Sequence, residues 1–232
     1  ENMKAHIIYD EVSREAHLFT GWGFSVMIGN YLFDTGDKGH SLLENMKRLQ
    51  FSVYDIESVI ISHDHWDHWG GLWDLLGVRP GLTVFGGEHF STEFRQKVKD
   101  SGGVFRPVGS EPLKLNENVT LTGEMEGVHK GSRLTEISAI IETDNGISLC
   151  TGCAHPGIVN IAEHTVALFP KDNLHIVFGG FHLHQKTNGE IEQTLEKLND
   201  LGFSSILPGH CSGKYAKKKG TGALYTGMVI DL

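Results

Sequence analysis

Ser62-His63-Asp64-His65-Trp66-Asp67-His68-Trp69-Gly70-Gly71 directly follows the apolar run Val59-Ile60-Ile61. A short continuous apolar run of this kind reads as a strand buried on both faces. His63 and His65 are two residues apart, so an extended exit from that strand points both imidazoles to one side. Trp69 to Leu76 reads as the start of a helix, and the bend before it turns Asp67 and His68 toward the same space. Gly70 and Gly71 let the backbone pass close by without side-chain collision. Three imidazoles and a carboxylate within six residues have no packing purpose. Buried without an ion, they leave several polar groups to satisfy at roughly a few kcal/mol each. The donor set suits a borderline divalent cation, zinc first, with iron and manganese also suited.

The rest of the composition narrows the setting. The 232 residues fit one domain spanning 1–232. Hydrophobic residues make up 39% and charged residues 21%, with mean hydropathy −0.18, which excludes a disordered chain. Apolar runs such as Ala139-Ile140-Ile141 are too short to cross a bilayer, so no membrane association is expected. The net charge of −9 argues against a broad grip on nucleic acid. Cys150, Cys153 and Cys211 are an odd set that does not read as a secreted disulfide framework, and the cytoplasm is the expected compartment.

Along the chain, Lys4 to Tyr9, Phe24 to Ile28 and Tyr31 to Asp34 read as strands, with Gly29-Asn30 a hairpin turn. Ser41-Leu42-Leu43-Glu44 has the form of a capping box opening a helix, with Leu42, Met46 and Leu49 on one face. Thr83-Val84-Phe85, Val104-Phe105, Val119-Thr120-Leu121, Ile137 to Thr143, Ile147 to Cys150, Ile176-Val177-Phe178 and Ser205-Ile206-Leu207 read as further strands. Pro156 is placed at the first turn of a helix running to Phe169, and Glu190 to Leu201 reads as another helix. Strands and helices interspersed from end to end predict an α/β layered fold.

His63-Asp64-His65-Trp66-Asp67-His68 resembles the H-x-H-x-D-H signature of the metallo-β-lactamase superfamily, and Phe33-Asp34-Thr35-Gly36 resembles that family's first motif. Thr151-Gly152-Cys153-Ala154-His155-Pro156-Gly157, Gly179-Gly180-Phe181-His182-Leu183 and Pro208-Gly209-His210-Cys211 are similar to a subgroup known as 7,8-dihydropterin-6-methyl-4-(β-D-ribofuranosyl)-aminobenzene-5′-phosphate synthase. The resemblance runs from about Gly23 to Cys211. It implies an αββα sandwich of two mixed sheets flanked by helices, with one or two divalent ions. Carried over residue by residue, His63 and His65 would hold one ion and Asp67 and His68 would face a second. His155 and His210 supply the remaining imidazoles, and Asp34 supports the ligands from behind.

Two departures stand out. Most hydrolases of this family carry a Gly-His pair where this chain has Leu134-Thr135-Glu136, and an aspartate where it has Cys153. A thiolate can bind metal, since the ion itself deprotonates it, so Cys153 is a candidate ligand or supporting group. Diiron reductases of this fold place a glutamate where this chain has His65, which argues for hydrolysis. The implied activity is a metallohydrolase using a metal-bound hydroxide on an ester or phosphoester of a small molecule. Asp67 would orient the nucleophile, and His182 would serve as proton donor, substrate contact or ligand. A pterin-related synthase step and a metal-dependent sensor without turnover are the alternatives. Lys130 and Arg133, in a glycine-flanked loop, read first as a solvated charge pair and second as a seat for a substrate phosphate. The resemblance admits a phosphorylated substrate, and no oligomeric state is implied.

Overall fold

The computed structural model describes residues 3–170 and 173–232. Contacts divide the chain into two compact units, one of Lys4–Gly109 with Tyr225–Asp231 and one of Met3, Ser110–Leu224 and Leu232.

In the first unit the elements are β1 (Lys4–Tyr9), β2 (Ser25–Ile28), β3 (Tyr31–Phe33), α1 (Gly39–Arg48), β4 (Ser58–Ile60), α2 (Trp66–Trp69), α3 (Leu72–Val78), β5 (Thr83–Gly87), α4 (Thr92–Asp100) and β6 (Val104–Val108). With the C-terminal strand Val229–Asp231 they build a seven-stranded sheet ordered C-terminal strand, β1, β2, β3, β4, β5, β6. β1, β2 and β3 are antiparallel neighbours, and Gly29 turns the β2–β3 hairpin at φ 55°. From β3 to β6 the pairing is parallel. Parallel neighbours need crossovers, and helices supply them. β4 is flanked on both sides, hence its buried Ser58-Val59-Ile60 run. Leu42 and Met46 of α1 pack with Val59, Leu72, Leu75 and Val84 in one core cluster. Truncating Leu42 to alanine is expected to cost about 2–5 kcal/mol.

In the second unit lie β7 (Leu113–Lys114), β8 (Val119–Leu121), β9 (Met125–His129), β10 (Ser132–Glu136), β11 (Ala139–Thr143), β12 (Gly146–Thr151), α5 (Ile158–Leu168), β13 (Leu174–Gly180), α6 (Asn188–Leu201), β14 (Ser205–Gly209) and α7 (Gly213–Lys219). Six of these strands form a mixed sheet ordered β14-β13-β12-β11-β8-β7, and β9 pairs with β10 as a separate hairpin. β12, β13 and β14 run parallel, crossed over by α5 and α6. Ile158, Ile161 and Ala162 of α5 meet Ile191, Leu195 and Leu198 of α6 in one core over Leu149 and Val177.

Two mixed sheets with helices are what the family resemblance implies. Several local expectations are corrected. α1 begins at Gly39 with Lys38 as N-cap and no side-chain cap, so Ser41 lies inside the helix rather than capping it. Gly39 must start that helix, because a Cβ there would sit 1.8 Å from Asp74 Oδ2. The helix expected over Trp69 to Leu76 is two helices, α2 and α3, broken at Gly70-Gly71. Pro156 lies before α5, whose N-cap is Gly157 at φ 97°. Lys130 lies in a glycine-flanked turn as expected, since Lys130 and Gly131, at φ 49° and 81°, turn the β9–β10 hairpin, but Arg133 stands on β10 rather than in a loop. Adjacent positive-φ residues match the right-handed twist of a tight hairpin. α4 was not expected at all. It is capped by Ser91, whose hydroxyl accepts the Phe94 N–H.

Candidate metal-binding site

In the first unit, potential ligands gather at the carboxyl ends of the parallel strands β3 and β4, where sheets of this kind place their chemistry. Asp34 leaves β3 in the left-handed region, at φ 56°. Such a conformation costs a non-glycine residue roughly 1–3 kcal/mol and persists only where the surroundings dictate it. Here three groups converge on the carboxylate. Oδ1 accepts the Ser62 N–H at 2.7 Å and Oδ2 accepts the Ser62 hydroxyl at 2.7 Å. His68 Nδ1 donates to the same Oδ2 at 2.6 Å. Asp34, Ser62, His63 and His68 are all 0% exposed.

This network determines which ring nitrogens face away from the carboxylate as acceptors. His68 gives its Nδ1 proton to Asp34, which leaves Nε2 with the lone pair. The Ser62 hydroxyl has spent its single proton on Asp34, so the 2.8 Å contact to His63 Nδ1 requires that nitrogen to be the donor. His63 Nε2 is then a lone pair as well. One carboxylate thus sets two imidazoles in the tautomer a metal ligand needs.

His63 and His65 are brought together, but not along an extended strand. The His65 N–H donates to the His63 carbonyl at 2.9 Å, a tight turn, and the ring centroids lie 4.6 Å apart. The His63 and His68 rings are 4.1 Å apart. Asp67 Oδ2 lies 3.6 Å from His68 Nε2, beside the atom the tautomer leaves free of protons. Asp64 points elsewhere: it accepts the Trp69 indole N–H at 3.1 Å and the Ser91 N–H at 2.9 Å, bracing the loop. The glycines act as expected. A Cβ on Gly70 would lie 2.3 Å from the Asp37 carbonyl, and one on Gly71 equally close to that of Thr35. The two loops are stitched by Thr35, whose N–H and hydroxyl both donate to the His68 carbonyl, at 2.7 and 2.9 Å.

In the second unit the pattern repeats at the carboxyl ends of β12, β13 and β14. Each exit has a non-glycine residue in the left-handed region: Ala154 at φ 59°, His182 at 52° and His210 at 40°. Gly179 and Gly180 allow the exits to crowd, since Cβ atoms there would lie 2.0 and 2.1 Å from the Thr151 and Gly152 carbonyls. Donor atoms of Cys153, His182 and Cys211 lie within 4.8 Å of one another, as do those of His129, His155 and His182. His210 is 1% exposed at the end of β14. Cys150 is buried within β12, and no disulfide joins Cys150, Cys153 and Cys211.

Two residues of this half escaped the sequence reading. Glu136, at the end of β10 and 1% exposed, is the stronger case. Its Oε1 accepts the N–H groups of Cys153 and Ala154 and its Oε2 that of His155, each at 2.8 Å. The side chain standing where a Gly-His pair is usual in the family thus clamps the backbone of the Cys153–His155 loop. His129 on β9 is the second. Its ring centroid is 5.1 Å from that of His155 and 5.7 Å from that of His182. Gly127, two residues earlier, was the available signal: a Cβ there would sit 2.7 Å from the His155 backbone, so β9 runs against that loop.

The chemistry of both donor sets, imidazoles with a carboxylate and imidazoles with thiols, fits a borderline divalent ion. The model of the metallo-β-lactamase superfamily matches residues 23–210. A 7,8-dihydropterin-6-methyl-4-(β-D-ribofuranosyl)-aminobenzene-5′-phosphate synthase of Methanocaldococcus jannaschii is 28% identical over 221 residues, covering 78% of this chain and 75% of that protein. Among solved structures, a metal-dependent hydrolase of the β-lactamase superfamily superposes with a TM-score of 0.82 at 26% identity, over 99% of each chain. The short form of human tRNase Z shares the fold, with a TM-score of 0.65 at 13% identity over 98% of each chain.

Proposed function

The chain belongs to the metallo-β-lactamase superfamily, and on that premise we propose that it is a metal-dependent hydrolase of an ester or phosphoester of a small molecule. The observation that carries the reading is the Asp34 network, which holds His63 and His68 as ring-nitrogen donors within a buried pocket of side chains. His63, His65, Asp67, His68, His155 and His210 are the proposed ligands of one or two divalent ions, with zinc the first choice. Cys153 stands where most family members carry an aspartate, and it joins them as a thiolate or supports them. A bound ion supplies a Lewis acid for the scissile carbonyl or phosphoryl oxygen and a nucleophilic hydroxide near neutral pH.

The chain's own residues do the rest. Asp34 and Ser62 hold the imidazoles in one orientation, so no reorganisation is needed as charge develops. Asp67 accepts a hydrogen bond from the attacking nucleophile and orients it. His182, fixed at φ 52° with its N–H on Cys211 Sγ at 3.3 Å, hands a proton to the leaving group. The substrate is a small molecule rather than nucleic acid or membrane, as expected of a chain with net charge −9.

A second reading rests on the 28% identical synthase: metal-assisted condensation of a phosphorylated, pterin-related intermediate. A substrate panel of phosphomonoesters, phosphodiesters and lactones, run on protein of known metal content, tests the first reading. Turnover that disappears together with metal in the His63→Ala/His65→Ala double variant supports it. Undiminished turnover in that variant without metal overturns it, and metal without turnover on any member of the panel shifts the balance to a metal-dependent sensor or the synthase step.

A further inference from the structure

A cleft of about 410 Å³ opens in the second unit beside the strand exits. It is large enough for a small organic ligand. Its walls are mostly apolar, with Val128, Ile158, Val159, Phe181 and Leu183 among them. The polar groups reaching it are His155, His182, Asn160, Thr194 and Lys186. No aspartate or glutamate is among its lining residues, although acidic side chains outnumber basic ones by 29 to 20 in the chain. Lys186 is the lining group that carries a standing charge, and that charge is positive.

We propose that this cleft is a subsite for the oxyanion of a small molecule with an apolar body, a phosphate ester or a carboxylate, held by Lys186 at its mouth and reaching inward to His155 and His182. The inference rests on the hydrolase reading only for what happens at His155; binding itself is independent of turnover. Lys186 is well placed for the task. Its backbone N–H closes a turn onto the Leu183 carbonyl at 2.9 Å, which fixes the base of the side chain. The ammonium is 3.5 Å from Glu190 Oε1, an exposed pair with both side chains about half accessible. Such pairs contribute little and are easily exchanged for a better partner. Glu190 itself is occupied elsewhere, since its Oε2 accepts the Thr187 N–H and hydroxyl at 2.8 Å each as the cap of α6. His184 does not compete with the ligand either. Its Nδ1 donates to the Cys211 carbonyl at 3.0 Å.

The apolar body has its own seat. Phe181 and Leu183 are 1% and 5% exposed, so the wall they form is rigid core rather than mobile surface. A ligand with a flat or branched hydrocarbon part covers Val128 and Val159 while its charged end meets the lysine.

Phenyl phosphate, benzoate and neutral benzyl alcohol, titrated calorimetrically into metal-loaded protein, test this. At least one of the two anions binds, benzyl alcohol does not displace it, and which anion binds tells phosphate from carboxylate. Lys186→Glu and Thr194→Glu, each at a lining residue, each weaken that anion about tenfold, the scale of one charge-assisted contact. Metal content and Tm stay unchanged in both variants. Anion affinity equal to wild type in the two variants overturns the proposal, and so does failure of both anions to bind. Binding lost only in the His63→Ala/His65→Ala variant places the anion on the metal and also overturns it. Absence of turnover on every substrate, with anion binding intact, defeats the hydrolase reading and leaves the subsite standing.

Discussion

Asp34 Oδ2 lies 2.6 Å from His68 Nδ1, and the same oxygen accepts the hydroxyl proton of Ser62, whose own oxygen takes the His63 Nδ1 proton at 2.8 Å. A single carboxylate therefore governs two proposed ligands, one directly and one through a serine. Outer groups of this kind typically control about 10- to 100-fold in metal affinity.

Asp34→Asn replaces one acceptor oxygen with an NH₂ that faces donors. Metal affinity, measured by competition with a chromophoric chelator, is expected to fall by about 10- to 100-fold. Unchanged affinity would mean that the ring orientations do not depend on this carboxylate.

Ser62→Ala removes the acceptor of His63 Nδ1 and one donor to Asp34 Oδ2, while the direct bond from His68 to that carboxylate stays in place. The loss is expected to be smaller than for Asp34→Asn, with stability reduced by about 1–3 kcal/mol because a buried imidazole N–H loses its acceptor. Urea titration of the metal-free protein checks the stability term, and the ordering of the two variants in metal affinity checks the network.

Glu136→Gln leaves the shape intact but removes the charge that three backbone N–H groups share at 2.8 Å. Its amide nitrogen faces either the Cys153 and Ala154 donors or the His155 donor. A loss of about 1–3 kcal/mol is expected in thermal or urea unfolding. Amide exchange of Cys153, Ala154 and His155 should rise ahead of the rest of the second unit.

Tyr9 carries the alkaline limit. Its hydroxyl donates to Asp37 Oδ1 at 2.5 Å, and burial first, then that carboxylate, push its pKa above the ordinary value of 10.0. A raised folded value means that the folded state holds the proton longer than the unfolded one. The stability Tyr9 contributes is thus complete below about pH 10 and is lost as pH rises beyond it. The stability difference between wild type and Tyr9→Phe, followed by urea unfolding, should be constant at neutral pH and shrink above pH 10.

Gly71→Ala places a Cβ 2.3 Å from the Thr35 carbonyl, whose residue also carries the two bonds onto His68. Backbone against backbone has no cheap relief, so a loss of several kcal/mol or failure to fold is expected. Thermal unfolding of the purified variant measures it.

The sequence by itself determined the class of the protein. Periodicity in Leu42 and Met46, the buried Val59-Ile60 run and the clustering of His63, His65, Asp67 and His68 depend on residues close in the chain, where spacing translates directly into geometry. The roles of the glycines at 70 and 71 were legible for the same reason. Tertiary structure alone decided the supporting cast. Glu136 clamps a loop that begins seventeen residues later, His129 reaches His155 from a hairpin whose turn residue Lys130 adopts positive φ against its type, and Lys186 gains meaning only from the cleft beside it. Such relations arise where strand exits from distant stretches are set side by side by sheet register. A left-handed backbone at Ala154 is likewise imposed by packing, while Asp34, His182 and His210 are types that tolerate it and are held there by their surroundings.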